Sequence, residues 1–394
     1  MKLPPYYDFL AFDINQSEFM NMYREICRLQ HYSSLNAYIS LCRTLLLKRQ
    51  SLSDYLHDTL ISSEQPLIQK YVRTADPNIL EAIRCDISRI KEICSVPASE
   101  IKKVLSEANN TDLSQLPEYD SGEFSYTVEY FIEQCRENGS GIFAINKAFR
   151  FYNSMIIPVN NPDPIRLTDL KLYEAQRGQI IDNTLCFINN KPANNVLLYG
   201  DRGTGKSATV KALLNEYKSL RMIQLDKNQI GSIFDIYGRL SEIPLHFIIF
   251  IDDLCFSEDD DGFFVLKQAL DGSLAAKPNN VIIYATTNRR HIIKETAANR
   301  ADSFVHKSDA VDDNMSLAER FGLFITFTAP NKDQFIDIAR KIALDKGINV
   351  DFDSFAAGLE RFSVRRGGRS PRIARQYVDM LEAKLSLGLI TIPF

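Results

Sequence analysis

Through about residue 110, apolar positions recur at helical spacing. Ile79, Ile83, Ile87, Ile90 and Cys94 follow one another at four, four, three and four residues, which puts them on one helix face. Asp76-Pro77 supplies the helix start, an Asp cap followed by Pro in the first turn. Phe19, Tyr23 and Cys27 form a similar stripe, as do Leu35, Tyr38, Cys42 and Leu45; Pro97-Ala98-Ser99-Glu100 opens a shorter helix that ends near Asn109-Asn110. The stripes predict a helical bundle with its own core; an alternative use for one of them is a docking face. Residues 111–125 are polar and read as a linker. Tyr126 to Cys135 reads as a helix, Ile142 to Tyr152 as strand or helix, and the Pro-Asn-rich stretch Pro158 to Pro164 as a second break.

Beyond that break the pattern changes. Short continuous apolar runs alternate with helical stretches, which predicts a parallel sheet covered on both faces. The strands expected are Asn195 to Tyr199, Met222 to Leu225, Phe247 to Ile251, Asn280 to Asn288 and Leu323 to Phe327; the helices are Leu167 to Ile188, Ala208 to Leu214, Ile233 to Leu240 and Phe263 to Leu274. From about residue 331 the chain is helical again. The expected organisation is a helical domain over 1–160, an α/β domain over 161–330 and a small helical domain over 331–394.

The chemistry gathers at the ends of these strands. Gly200-Asp201-Arg202-Gly203-Thr204-Gly205-Lys206-Ser207 is a phosphate-binding P-loop between a strand and a helix, and Ala208 continues into that helix. Its glycines let backbone N–H groups face phosphate, and the helix N-terminus adds positive partial charge. Lys206 can reach the β- and γ-phosphates of ATP, and Ser207 can ligate Mg²⁺. The apolar strand ending in Asp252-Asp253 supplies a carboxylate for Mg²⁺ at Asp252 and a candidate general base at Asp253. Ala285-Thr286-Thr287-Asn288 ends the next strand. Ligands of open α/β sheets sit at such carboxyl ends, so Asn288, with Thr287 second, is the candidate to orient an attacking water.

Composition narrows the partners. The net charge is −4; residues 1–160 carry all of it, with 16 basic and 20 acidic side chains, and the remainder has 30 of each. No domain-scale positive field draws nucleic acid. The dense run Arg365-Arg366-Gly367-Gly368-Arg369, extending to Arg375, is the one local basic patch with that capacity. The acidic run Glu258-Asp259-Asp260-Asp261 reads as a solvated loop before a helix, with a second metal site as the alternative. The seven cysteines show no metal spacing, and His31 and His57 are isolated. There is no apolar signal core and no 18-residue apolar run, so a cytoplasmic protein without a membrane span is expected.

The order of these motifs resembles that of the AAA+ ATPases: Walker A, Walker B, a sensor-1 residue and a helical lid. The resemblance covers about residues 165–394 and implies an α/β P-loop NTPase fold of AAA+ type with a helical N-terminal domain and a helical C-terminal lid. Asn288 resembles the sensor-1 residue. Arg320, in Leu317-Ala318-Glu319-Arg320-Phe321-Gly322, resembles the arginine finger that a neighbouring subunit donates, which implies a homo-oligomer. Arg372, in Ser370-Pro371-Arg372-Ile373-Ala374-Arg375-Gln376, resembles the sensor-2 arginine at a lid-helix N-terminus. The stretches Asn194 to Gly200, Ile283 to His291 and Leu317 to Leu323 are similar to a bacterial family of AAA+ ATP-binding proteins grouped as a domain of unknown function. Two features depart from many AAA+ proteins. Asp253 stands where Glu is common, and only a short connection, Lys277-Pro278-Asn279, precedes the sensor-1 strand.

The function expected is Mg-dependent hydrolysis of ATP to ADP and phosphate, used to move or remodel a protein partner. Asp253, Asn288, Arg320 and Arg372 carry the catalytic roles. The alternatives are a nucleic-acid-associated loader or switch, which the Asp-Asp end and the basic patch favour, and a nucleotide-gated scaffold with little turnover, which the shorter Asp253 favours. A small-molecule kinase fits less well with a lid arginine and a sensor strand.

Overall fold

The computed structural model describes residues 3–4, 8–29, 31–256, 261–271, 277–288, 319–348 and 352–389. The chain forms two compact units, one of residues 1–147 with 242–245, the other of 148–241 with 246–394.

The first unit is helical. Its described helices are α1 (Glu18–Arg28), α2 (His31–Lys48), α3 (Leu52–Ser62), α4 (Pro66–Thr74), α5 (Pro77–Ser95), α6 (Ala98–Asn109), α7 (Val128–Asn138) and α8 (Ile142–Ile145). The α5 stripe is spent inside: Ile79, Ile83, Ile87, Ile90 and Cys94 are all buried, and the Asp76 carboxylate accepts from Asn78 N at 2.9 Å. Tyr38, Cys42 and Leu45 of α2 join the same core. Asp86 is also buried, and its carboxylate accepts from the Leu10 and Ala11 N–H groups at 2.8 and 2.6 Å. Burial raises its pKa, and those two donors oppose the rise.

The second unit is built on a seven-stranded sheet. Its strands are β1 (Ala148–Tyr152), β2 (Met155–Pro158), β3 (Val196–Gly200), β4 (Leu220–Gln224), β5 (His246–Ile251), β6 (Val281–Thr287) and β7 (Leu323–Phe327), in the spatial order β2-β1-β4-β5-β6-β3-β7. Only the β1–β2 hairpin is antiparallel; the other pairs are parallel. The expected boundary at 160 therefore moves to 147/148: β1 pairs with β4 and belongs to the sheet. Ile142 to Tyr152 is both of the forms considered, first helix and then strand.

The helices α9 (Glu174–Ile188), α10 (Lys206–Glu216), α11 (Ile233–Leu240) and α12 (Asp261–Asp271) alternate with these strands. Ile180 and Phe187 of α9 and Val210 and Leu213 of α10 share a core with Val196, Leu198, Ile248, Tyr284 and Phe327. The strand residues of opposite parity, Leu197, Ile223, Ile249 and Ile283, are buried as well. Both faces of the sheet are therefore covered, as continuous apolar strands require. The single helix expected over 167–188 is broken: a 3-10 turn spans Leu167–Asp169, and Leu172 and Tyr173 have φ of 70° and 66° before α9 begins.

Three helices, α13 (Lys332–Asp345), α14 (Phe352–Arg365) and α15 (Pro371–Ser386), make the lid. Phe335, Ile338, Ala339, Leu359, Tyr377 and Val378 form its core. Asn331 and Gln334 close a capping box at α13, and Ser370 with Pro371 starts α15. A parallel α/β sheet with a P-loop after β3, covered by helices on both faces, with a helical N-terminal unit and a helical C-terminal lid, is thus the fold of this chain.

A polar knot sits inside the sheet unit. The Tyr284 hydroxyl lies 2.8 Å from Thr184 Oγ1 and accepts from Asn183 Nδ2 at 3.0 Å. Burial raises the Tyr284 pKa to about 12. Tyr284→Phe leaves both partners in place with nothing to replace the hydroxyl. It should lower unfolding stability by about 1–2 kcal/mol in a urea titration; an unchanged midpoint would contradict the bonding described.

Candidate functional site

Sheet order brings the motifs together. β5, β6 and β3 are consecutive neighbours, with Ile251 opposite Ala285 and Tyr199 opposite Thr287. The residues that follow these strand ends, Asp252-Asp253, Asn288 and the P-loop, are then one strand spacing apart, about 5 Å.

The P-loop begins under tight constraint. Gly200 has φ of 134°, and a β-carbon there would run into the Phe327 carbonyl of β7. Asp201 N donates to Phe327 O at 3.0 Å, and the Asp201 carboxylate accepts from Ala329 N at 2.7 Å. Gly200 and Asp201 thus anchor the loop to the strand beside it. Gly203, at φ 77°, is closely approached by the lid: a β-carbon would lie 2.8 Å from Ser370 Oγ, and Arg372 N donates to Gly203 O at 3.2 Å. Thr204 Oγ1 bonds back to Asp201 O at 2.8 Å, and Gly205 caps α10.

Lys206 is 5% exposed. Its ammonium donates to Gly200 O at 2.9 Å, Asp201 O at 2.8 Å and Asn288 Oδ1 at 2.8 Å. Burial lowers its pKa; the Asp201, Asp253 and Asp252 carboxylates act in the opposite direction. The Asn288 amide in turn donates to Asp253 Oδ1 at 2.7 Å. Lysine, sensor-strand amide and second acid form one chain of contacts.

Asp252 Oδ1 accepts from Ser207 Oγ at 2.5 Å and from Thr286 Oγ1 at 2.6 Å. Thr286 Oγ1 also accepts from Asp253 N at 3.0 Å. Asp253 has φ of 54°, a left-handed conformation in which Asp is one of the better-tolerated side chains. Thr286 is the functional residue that the sequence reading passed over in favour of Asn288 and Thr287. The signal was period two: Thr286 and Asn288 share a strand face, whereas Thr287 lies on the other and is 1% exposed.

A cleft of about 510 Å³ joins these groups to the lid, within the size range of nucleotide-scale pockets. Arg202, Gly203, Thr204, Gly205, Lys206, Ser207 and Ala208 line it, with Asp252, Asp253, Thr286 and Asn288 facing them. Arg372 and Arg375 of α15 also line it, and Ile165, Leu170, Ile338 and Ile342 give its apolar part. Gly200 and Asp201 are not part of the lining. Arg320 is not either; its guanidinium contacts the Asp271 carboxylate at the end of α12. Glu258, Asp259 and Asp260 of the acidic run, and Arg289, Arg290, His291, Leu317 and Ala318 of the family-like stretches, lie outside the described residues.

The basic patch is largely engaged within the chain. Arg369 makes two bonds to Glu360, at 3.0 and 2.7 Å, Arg366 lies over the Phe362 ring, and Arg372 and Arg375 face the cleft. Among the described residues no helix is long and apolar enough to cross a membrane, and no group of three or more His, Cys, Asp or Glu could hold a metal. One carboxylate and one hydroxyl, Asp252 and Ser207, are the hard oxygen donors in contact at the P-loop. This sparse set fits Mg²⁺, which retains waters and takes its remaining ligands from phosphate. Thr286→Val removes the hydroxyl that fixes Asp252 while keeping side-chain volume. Mg-dependent ATP turnover should fall about 10–100-fold, as for other residues that orient a metal ligand, with the melting temperature within a few degrees; turnover equal to wild type would remove Thr286 from the site.

Solved structures similar in fold include a single-site variant of RuvB from Thermotoga maritima, with a TM-score of 0.40 at 15% identity over 58% of this chain and 68% of that one. A second variant gives 0.42 at 14% identity over 58% and 68%. The Thermotoga maritima RuvB Holliday junction branch migration motor gives 0.38 at 16% identity over 58% and 68%. No curated protein sequence matches the chain. The family model described as "Protein of unknown function (DUF815)" matches residues 144–385, more than half of the sequence and the whole of the cleft just described, and the chain belongs to that family.

Proposed function

We propose that this protein hydrolyses ATP to ADP and phosphate and uses the cycle to move or remodel a protein partner. The observation that carries the reading is the meeting of Lys206, Ser207, Asp252, Asp253, Asn288 and Arg372 on one cleft. P-loop N–H groups and Lys206 bind the phosphates, and Lys206 exchanges its carbonyl and Asn288 contacts for phosphate oxygens as ATP enters. Ser207 and Asp252 would hold Mg²⁺, which when bound offsets negative charge on the β- and γ-phosphates. Asp253 accepts a proton from the attacking water as the new P–O bond forms and the bond to ADP breaks. The Asn288 amide, already on Asp253 Oδ1, aligns that carboxylate and the water. Arg372 brings a cation to the γ-phosphate from the lid, so the lid's position depends on the nucleotide.

Arg320 belongs to this reading as a residue acting across a subunit boundary in a homo-oligomer, on the next copy's γ-phosphate. In that role it would exchange its contact with Asp271 for the neighbour's phosphate. A protein partner is favoured over nucleic acid because Arg366, Arg369, Arg372 and Arg375 already have contacts within the chain or face the cleft. The cytoplasm is the proposed setting.

Purified wild type should release phosphate from Mg-ATP, and Lys206→Ala should not; equal background rates in both would end the ATPase reading. Arg320→Ala alone should cost roughly 10³–10⁵ in rate. Mixing Lys206→Ala with Arg320→Ala subunits should restore part of the activity, since some interfaces then pair an intact P-loop with an intact finger. A mixture as inactive as its components would place Arg320 outside the reaction.

A further inference from the structure

The cleft contains a second lid arginine that the catalytic assignments leave unused. Arg375 follows Arg372 by three residues on α15, so both point from the same helix face, and both line the cleft. Their partners differ. The Arg372 backbone meets the P-loop at Gly203, whereas the Arg375 guanidinium donates to Asp169 O at 3.0 Å. Asp169 ends the 3-10 turn, and the segment that follows it is fixed from several sides. Lys171 Nζ pairs with Asp345 of α13 at 2.6 Å. The Tyr173 hydroxyl donates to Thr328 O at 2.5 Å, and the Arg177 guanidinium donates to Leu172 O. Leu172 packs against both the sheet core and the lid core. Two consecutive left-handed residues, Leu172 and Tyr173, are held in place by these contacts.

This segment supplies Ile165 and Leu170 to the apolar lining of the cleft, to which the lid contributes Ile338 and Ile342. A nucleotide has a polyanionic part and a planar ring. The P-loop takes the first, and the apolar wall is what remains for the second. We infer that Arg375 is a positioning residue for the nucleobase. It ties the 165–173 segment, which carries Ile165 and Leu170, to the lid helix, and so couples base occupancy to lid position. Arg372 reads phosphate and Arg375 reads the base, through one helix. The inference rests on the ATP reading above.

Because the contact is one hydrogen bond to one carbonyl, Lys can replace Arg at this position and Met cannot. The test is calorimetric binding of ATP and of inorganic tripolyphosphate, the polyanion without a base, to full-length wild type, Arg375→Met, Arg375→Lys and Arg372→Met, with melting curves on all four. Arg375→Met should weaken ATP about tenfold and leave tripolyphosphate within about twofold, and Arg375→Lys should recover most of the loss. Arg372→Met should weaken both ligands. Equal loss of ATP and tripolyphosphate in Arg375→Met, or no loss of either, overturns the assignment to the base. Wild type that fails to bind ATP at all overturns the ATP reading itself, and the two failures are separately visible.

Discussion

The Asp252 carboxylate accepts two hydroxyl hydrogen bonds, from Ser207 at 2.5 Å and from Thr286 at 2.6 Å, and the site is arranged about it. The three residues come from the first turn of α10, from the end of β5 and from β6. They can meet only because β5, β6 and β3 are neighbours in a parallel sheet with matched register. Each strand is buried on both faces, so a register slip would move apolar side chains to the wrong layer; burial fixes register, and register fixes the site. Around this carboxylate the remaining groups form a second chain, from Lys206 through Asn288 to Asp253. In the proposed function an arriving triphosphate would divide that chain, so that the acid and the lysine respond together.

Much of this was legible in the sequence because it is locally encoded. Gly200 to Ser207 carries its own geometry, and the apolar run before Asp252 announces a buried strand whose last residues reach the carboxyl edge. The stripe on α5 was equally plain, since five apolar residues at helical spacing leave one face to bury. What escaped depended on distant partners. Ala148 to Tyr152 is short and aromatic, and its pairing with β4 links residues more than seventy positions apart, so the sheet extends past the expected boundary. The break at Leu172 and Tyr173 has no glycine or proline to mark it; its left-handed turn is held by Arg177, Thr328 and the lid. Arg320 meets Asp271 across 49 positions of sequence, which no local pattern records. The basic run at 365–375 reads as one patch but divides at the break between α14 and α15, which leaves Arg366 and Arg369 outside the cleft and puts Arg372 and Arg375 on its lining.

In the proposed ATP cycle the lid is the part that would do the work. Ser370 and Arg372 touch the P-loop at Gly203, and Arg375 touches the segment before α9, so a single helix start contacts both ends of the cleft. Any ligand that binds the two ends differently changes the equilibrium of that helix, by no more than its differential affinity for the two positions. The lid core is separate from the sheet core, with Leu172 packed against both, so the lid can shift without unpacking the sheet.

In the proposed reaction Asp253, one methylene shorter than glutamate, is a sufficient base for hydrolysis. The most direct measurement is a single-turnover experiment on Asp253→Asn with saturating Mg-ATP, following both bound ATP and released phosphate. The account predicts ATP affinity near that of wild type and phosphate release slowed at least about 10²-fold, as expected for loss of a general base. Phosphate release at the wild-type rate from Asp253→Asn would contradict it.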